Sequence, residues 1–319
     1  MNSQLGIDIA KRKFDVALLN DGKYKTRVFD NTQAGFGQLM EWLEKHGAIN
    51  THACVEATGD YGTELATFLH DHAVTVSVVN PAQIKGFAQS ELSRTKTDKA
   101  DAKLIARFCQ AHVPTAWQPP PASVRQLQAL ARRLDALNEM QRMEANRLDT
   151  AHALVVPSIQ EVMAQLEQHI KIIRETIKQH IDSHPDLRSK RELLESIPGI
   201  GETTVTQILT FLVGAQFSHA KQVAAFLGLN PQQHDSGTSV RRKVRLSKTG
   251  DARLRVAFYM PAIVAMRYNP IIRAFSQRLL AAGKPKMLVV GAAMRKLAHM
   301  VYGVLKSGKP FDPALALIK

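Results

Sequence analysis

Two aspartates three residues apart open the run Asp98-Lys99-Ala100-Asp101-Ala102-Lys103-Leu104-Ile105-Ala106-Arg107-Phe108. On a helix that spacing puts both carboxylates on one face, about one turn from each other. Nothing in the apolar pattern requires them there, and a hard divalent cation would relieve their repulsion through oxygen ligands. A solvated helix start, with aspartates favoured by the helix dipole, accounts for the pair taken alone. Two further carboxylates weaken that simpler account. Asp8 interrupts Leu5–Ala10, and Glu56 ends His52–Glu56. Both runs read as buried strands, where an unpaired charge is expensive. Asp8, Glu56, Asp98 and Asp101 are therefore candidate ligands of one site for Mg²⁺ or Mn²⁺. Asp60 is a rival ligand, with a loop cap as its simpler role. Lys96 and Lys99 could meet phosphate or lie on a solvated helix face.

Two other stretches have residue types suited to phosphate. In Ser236-Gly237-Thr238-Ser239, followed by Arg241, Arg242, Lys243, Arg245 and Lys248, a small hydroxyl-bearing tip precedes a dense cationic run. The tip alone reads equally as an ordinary turn. Ile197-Pro198-Gly199-Ile200-Gly201 has the pattern of a helix-hairpin-helix, in which Gly199 and Gly201 would let backbone N–H groups approach a DNA phosphate. A turn that merely packs two helices is the alternative.

Strands are expected at Leu5–Ala10, Phe14–Leu19, Tyr24–Phe29, Thr51–Glu56 and Val74–Val79. Asn20-Asp21-Gly22-Lys23 reads as the hairpin turn between the second and third. Helices are expected at 32–46, 63–72, 82–90 and 98–112. This order predicts a mixed sheet with helices on its faces. Trp117-Gln118-Pro119-Pro120-Pro121 marks a boundary. Beyond it comes a long helix reaching about residue 154, broken by Val155-Val156-Pro157. A second helix opens with the capping box Ser158-Ile159-Gln160-Glu161 and runs to His184. Its stripe of Ile159, Val162, Leu166, Ile170, Ile173, Ile177 and Ile181 suits an antiparallel hairpin, alone or shared with a partner subunit. Further helices are expected at 202–212, 219–227 (capped by Ser218), 251–268 (kinked at Pro261), 270–281 and 286–306. Three regions result: 1–118, 122–190 and 191–319.

The charge is uneven. Of the formal +14, residues 191–319 hold 19 Lys and Arg against 6 Asp and Glu, while residues 1–190 hold 23 against 22. Such asymmetry implies a polyanion held by the C-terminal region, nucleic acid rather than membrane. No apolar stretch reaches the roughly 18 residues of a membrane span, and the start lacks signal-peptide features. Cys54 and Cys109 read as buried thiols of a cytoplasmic chain. The histidines show no zinc-type spacing.

The order of elements, with acids on the first strand, at the end of the fourth and on the last helix of the first region, resembles the RNase H-like superfamily, and the RuvC-type resolvases within it. Over nearly the whole chain, five motifs in order resemble the DEDD insertion-sequence transposases. These are relatives of the Piv DNA invertase, known for bridge-RNA-guided recombination. The motifs are Gly6-Ile7-Asp8-Ile9-Ala10-Lys11, Val55-Glu56-Ala57-Thr58-Gly59, Lys96–Ala102, Ile197–Gly201, and Gly228-Leu229-Asn230-Pro231 with Ser236-Gly237. The resemblance implies a RuvC-like metal-binding domain at 1–118, with Asp8, Glu56, Asp98 and Asp101 as its tetrad. It also implies oligomerising coiled-coil helices at 122–190, and a transposase domain at 191–319 with a serine nucleophile. Ser236 matches that serine best, and Ser239 is the reserve. The same resemblance implies donor and target DNA, a non-coding bridge RNA, and dimers assembling into a tetramer whose active sites pair one protomer's tetrad with another's serine. A RuvC-like junction resolvase hydrolysing with the tetrad alone, and a non-catalytic DNA-binding protein, are the competing readings.

Overall fold

The computed structural model describes residues 3–57, 61–92, 97–215, 217–233, 235–236, 240–241 and 244–314. Asp60, Lys96, Ser239, Arg242 and Lys243 lie outside the described residues. The chain forms two compact units, Met1–Pro119 and Pro120–Lys319.

In the first unit, β1 (Gln4–Ile9), β2 (Lys13–Asn20) and β3 (Lys23–Asp30) form an antiparallel meander. Asp21 and Gly22 both take positive φ at the β2–β3 turn, the conformation an Asp-Gly hairpin needs. β4 (His52–Glu56) and β5 (Thr75–Val79) add parallel to β1, giving the order β3-β2-β1-β4-β5. Leu5, Ile7 and Ile9 on β1 and Phe14, Val16 and Leu18 on β2 join the core beneath α1 (Gln33–Lys45), whose Phe36, Leu39 and Leu43 are buried. α2 (Thr63–Asp71) and α3 (Pro81–Ser90) follow β4 and β5. α4 (Asp98–His112) lies across β1, β2 and β4. Its packing on β1 is intimate. A Cβ added at Gly6 would fall 2.1 Å from Ala102 O and 2.3 Å from Ala106 N, so only glycine admits the helix backbone there.

The second unit is mainly helical. α5 (Ala122–Leu148) and α6 (Val156–Ser183) pair along their length. Leu127, Leu137, Ile170, Ile177 and Ile181 are buried, whereas Met140, Met143, Leu154, Val155 and Val162, nearer the helix–helix connection, are exposed. The expected capping box does not start α6. The helix begins at Val156 with Pro157 in its first turn, where the missing N–H costs nothing, and no side chain caps it. α7 (Pro185–Glu195), not anticipated from the sequence, precedes α8 (Glu202–Phe211). α9 (Ala220–Phe226) is capped by His219 rather than Ser218. The helix expected over 251–268 is two helices, α10 (Ala252–Ala257) and α11 (Tyr259–Tyr268). The break falls at Phe258, which puts Pro261 in the first turn of α11 rather than at an interior kink.

α12 (Pro270–Ala281) and α13 (Lys286–Ser307) complete the unit. By length and composition α13 could cross a membrane, which revises the reading that no stretch qualifies. Its Val289, Ala293, Leu297, Ala298 and Val301 are instead buried in the core of the helical unit.

Candidate functional site

Asp8 stands at the end of β1, two residues beyond Gly6 and on the same face. Because α4 rests on Gly6 through Ala102 and Ala106, its first turn overhangs that strand end. Thr97 caps the helix, its Oγ1 accepting from Ala100 N–H at 3.2 Å, which sets Asp98 and Asp101 in the first turn. β4 runs parallel to β1 with Ile7 beside Val55, so Glu56 ends the strand next to Asp8.

The electrostatics reflect this convergence. Burial, reinforced by the charges of Asp101, Asp98, Glu56 and Asp15, pushes the Asp8 carboxyl up to about 6. Asp101, Asp98 and Glu56 thus each lie within electrostatic reach of Asp8. Carboxylates are the donors a hard divalent cation prefers, but among the described residues these four do not bring three ligand atoms within 4.8 Å of one another, as His52, Cys54 and Cys109 do.

Two members of this neighbourhood were not selected from the sequence. Asp15, buried on β2, is the cross-strand partner of Asp8. Its signal was available, since it too is a charge inside an apolar run. Lys13 Nζ donates to Asp98 Oδ2 at 2.8 Å and to Asp15 Oδ2 at 3.4 Å. The hydrogen bond to Lys13 draws the Asp98 carboxyl below its usual range, and the same bond raises the lysine. Asn31 braces the surrounding loops, donating to Ala10 O at 3.1 Å and Tyr61 O at 3.2 Å.

A grouping that no zinc-type spacing marks in the sequence appears elsewhere in the sheet-bearing unit. His52, Cys54 and Cys109 each place a ligand atom within 4.8 Å of the others. Fifty-four residues separate the two cysteines, so no spacing motif could reveal the cluster.

In the second unit, Gly199 and Gly201 face different surroundings. Gly199 takes φ +107°, and an added Cβ would lie 2.8 Å from Ala265 Cβ and 2.9 Å from Pro261 O. Packing against α11 thus demands glycine there. Gly201 is exposed, with nothing within 4 Å of its would-be Cβ, and it leaves the N-terminus of α8 without a side-chain cap. Bare N–H groups at such an end attract anions.

Ser236 lies on the short strand β7 (Asp235–Ser236), paired with β8 (Val240–Arg241). The same hairpin closes lower down through β6 (Pro231–Gln232) and β9 (Arg245–Leu246). Its base is clasped tightly. Arg255 Nη1 donates to Leu227 O and Lys248 O, both at 3.2 Å. Gly228 at φ +67° and Gly250 at φ +143° sit where a Cβ would strike Arg255 and Phe226 O. Arg255 gives no sequence signal of this role, because an arginine early in a helix looks like surface charge. Arg245 and Lys248 are exposed beside this base. From 252 to 311 the chain has 11 Lys and Arg and no Asp or Glu. A segment with that excess of cations suits a polyanion.

Residues 5–157 match the DEDD transposase domain of the IS110 type, and residues 191–277 match the transposase IS116/IS110/IS902 family. The pilin gene-inverting protein of Moraxella lacunata is 34% identical over 313 residues, 97% of each chain. The transposase for insertion sequence element IS1111A of Coxiella burnetii is 24% identical over 301 residues, covering 83% of this chain and 78% of its own. An insertion element IS110 protein of Streptomyces coelicolor is 26% identical over 160 residues, 50% of this chain and 38% of its own. The class is that of DNA-processing enzymes, with DNA as the substrate. The chain belongs to the IS110-type transposase family.

Proposed function

We propose that this protein is an insertion-sequence transposase that cuts and rejoins DNA through a serine nucleophile, assisted by a divalent ion held by Asp8, Glu56, Asp98 and Asp101 of a RuvC-like domain. The convergence of charge on Asp8 supports this reading: Asp101, Asp98 and Glu56, from the start of α4 and the end of β4, all raise its carboxyl. The sheet order, a three-stranded meander extended by two parallel strands, supports the RNase H-like assignment. Mg²⁺ or Mn²⁺ bound there would polarise phosphate oxygens and lower the barrier to attack at phosphorus.

The chain's own residues do the rest. The Ser236 hydroxyl, with Ser239 in reserve, attacks phosphorus, and its Oγ–P bond replaces one ester bond of the strand. The displaced end leaves as a hydroxyl. Attack by another strand's hydroxyl on the phosphoserine reseals DNA without an external energy source. Arg241, Arg242, Lys243, Arg245 and Lys248 hold backbone phosphates about the transfer, and the open N-terminus of α8 at Gly201 offers a further phosphate contact. Gly199 positions that turn on α11.

Selection of donor and target DNA by a bridge RNA, and assembly of dimers into a tetramer in the cytoplasm, complete the proposal. The exposed Met140, Met143, Leu154, Val155 and Val162 of the α5–α6 hairpin give its coiled-coil end an apolar surface for a second copy.

Incubation with Mg²⁺, DNA and the flanking non-coding RNA, resolved under denaturing conditions, tests the chemistry. The wild type is expected to trap DNA covalently. Ser236→Ala should lose the adduct, and Asp98→Asn should lose both adduct and cleavage. Cleavage that survives Ser236→Ala and Ser239→Ala together would instead identify a hydrolytic resolvase.

A further inference from the structure

Farther along α4 lies a second cluster, of different chemistry. Cys109 is eight residues beyond Asp101, about 12 Å of helix rise. It faces the strand β4, where Cys54 and His52 alternate onto one side of the sheet. Cys54 shares a rung with Gly6 and with Ser77, so it lies under the helix that Gly6 admits. The two sulfurs are almost wholly buried, with Cys54 at 0% and Cys109 at 1% exposure, while His52 is half-buried. One ring nitrogen of His52 and both sulfurs lie within 4.8 Å of one another.

The histidine is oriented by a second layer of contacts. His52 Nε2 is 2.8 Å from Ser77 Oγ, and that hydroxyl lies 2.9 Å from both Pro114 O and Thr115 O. A hydroxyl has one proton, and two carbonyls compete for it. Toward His52 the serine oxygen must therefore accept. Nε2 carries the hydrogen, and Nδ1 is left with a lone pair. Holding one imidazole nitrogen by a hydrogen bond so that the other can ligate is how metal-binding histidines are commonly fixed.

We infer that His52, Cys54 and Cys109 form a site for a thiophilic cation, with Zn²⁺ as the ion of that chemistry, distinct from the carboxylate site. Two thiolates and a neutral imidazole balance the charge of a divalent ion, so the buried complex carries no net charge. Two thiol protons pass to solvent as the ion enters. Soft sulfur donors select against Mg²⁺, and carboxylate oxygens select for it, so the two sites sort ions by ligand type. The bound ion would join α4 to β4, the elements that carry Asp98, Asp101 and Glu56.

Cobalt titration of the full-length, reduced protein tests this. Stoichiometric Co²⁺ is expected to give a sulfur-to-cobalt charge-transfer band that Zn²⁺ abolishes and Mg²⁺ does not. The band should persist in Asp98→Asn, which separates it from the carboxylate site, and vanish in Cys109→Ser. Ser77→Ala keeps all three ligands and should weaken Zn²⁺ binding about 10- to 100-fold. Absence of the band in reduced, folded wild type, or its survival in a Cys54→Ser/Cys109→Ser variant shown to be folded by circular dichroism, would overturn the assignment.

Discussion

Asp8 lies at the end of a strand between a helix terminus and two neighbouring strands that all bring negative charge. An acid whose folded pKa is raised from 3.8 to about 6 binds its proton more tightly in the folded state. Its contribution is therefore most favourable below the unfolded value. Stability is lost as pH rises from about 4 to 6, and the full cost remains above that window. After allowing for solvent screening, Asp8→Asn should stabilise the metal-free protein at pH 7.5 by about 1–2 kcal/mol, read as a higher unfolding midpoint. Added Mn²⁺ should raise the wild-type midpoint and not that of the variant. Lys13 answers part of the same repulsion through Asp98 and Asp15. Lys13→Met should accordingly tighten Mn²⁺ binding in the absence of DNA, because the ion no longer competes with a resident ammonium. Calorimetry would show this, and unchanged affinity would count against it. Asp8 was legible from the sequence because a charge inside an apolar run is conspicuous. Lys13 was not, since its partner Asp98 is 85 residues away.

At the scale of the element, the decisive feature is how closely α4 approaches β1. Gly6→Val would place side-chain carbon against the backbone of Ala102 and Ala106. Shifting the helix should cost about 1–3 kcal/mol or more. It should also abolish strand cleavage, because Asp98 and Asp101 move with the helix. Chemical denaturation and a cleavage assay check the two parts separately. In the helical unit, Asn269 is fully buried. Its Oδ1 accepts from the N–H groups of Ile271 and Ile272, and its Nδ2 donates to Pro198 O. Asn269→Ala removes a helix cap and leaves a buried carbonyl without this donor, and should cost about 1–3 kcal/mol. Periodicity revealed most of these elements. It misplaced their ends where caps are decided by local geometry, as at Val156, His219 and Phe258.

The whole molecule divides its charge as well as its fold. The sheet-bearing unit is nearly balanced, whereas the region after residue 190 holds almost the entire excess of positive charge. DNA affinity should therefore fall steeply with salt. Replacing both Arg245 and Lys248 with alanine should reduce the slope of log K against log salt by up to about 2, because each phosphate contact contributes about 0.9. A fluorescence-anisotropy titration at several salt concentrations measures it, and an unchanged slope would remove these two residues from the interface. The same variant should leave the unfolding free energy within about 0.5 kcal/mol of wild type, since both side chains are exposed.

Residue order alone determined the strands, most of the helices and the charge asymmetry, and singled out four candidate carboxylates, because each leaves a local mark: a period, a run, or a charge out of place. Folding decided what no local mark can carry. A glycine on β1 admits a helix nearly a hundred residues later, and that contact brings the charges of Asp98 and Asp101 to bear on Asp8. The same packing brings Cys109 to His52 and Cys54, and in the other unit Arg255 closes the base of the serine hairpin. These are contacts between positions far apart in the chain. Their physical cause is close packing, which pattern and composition do not encode.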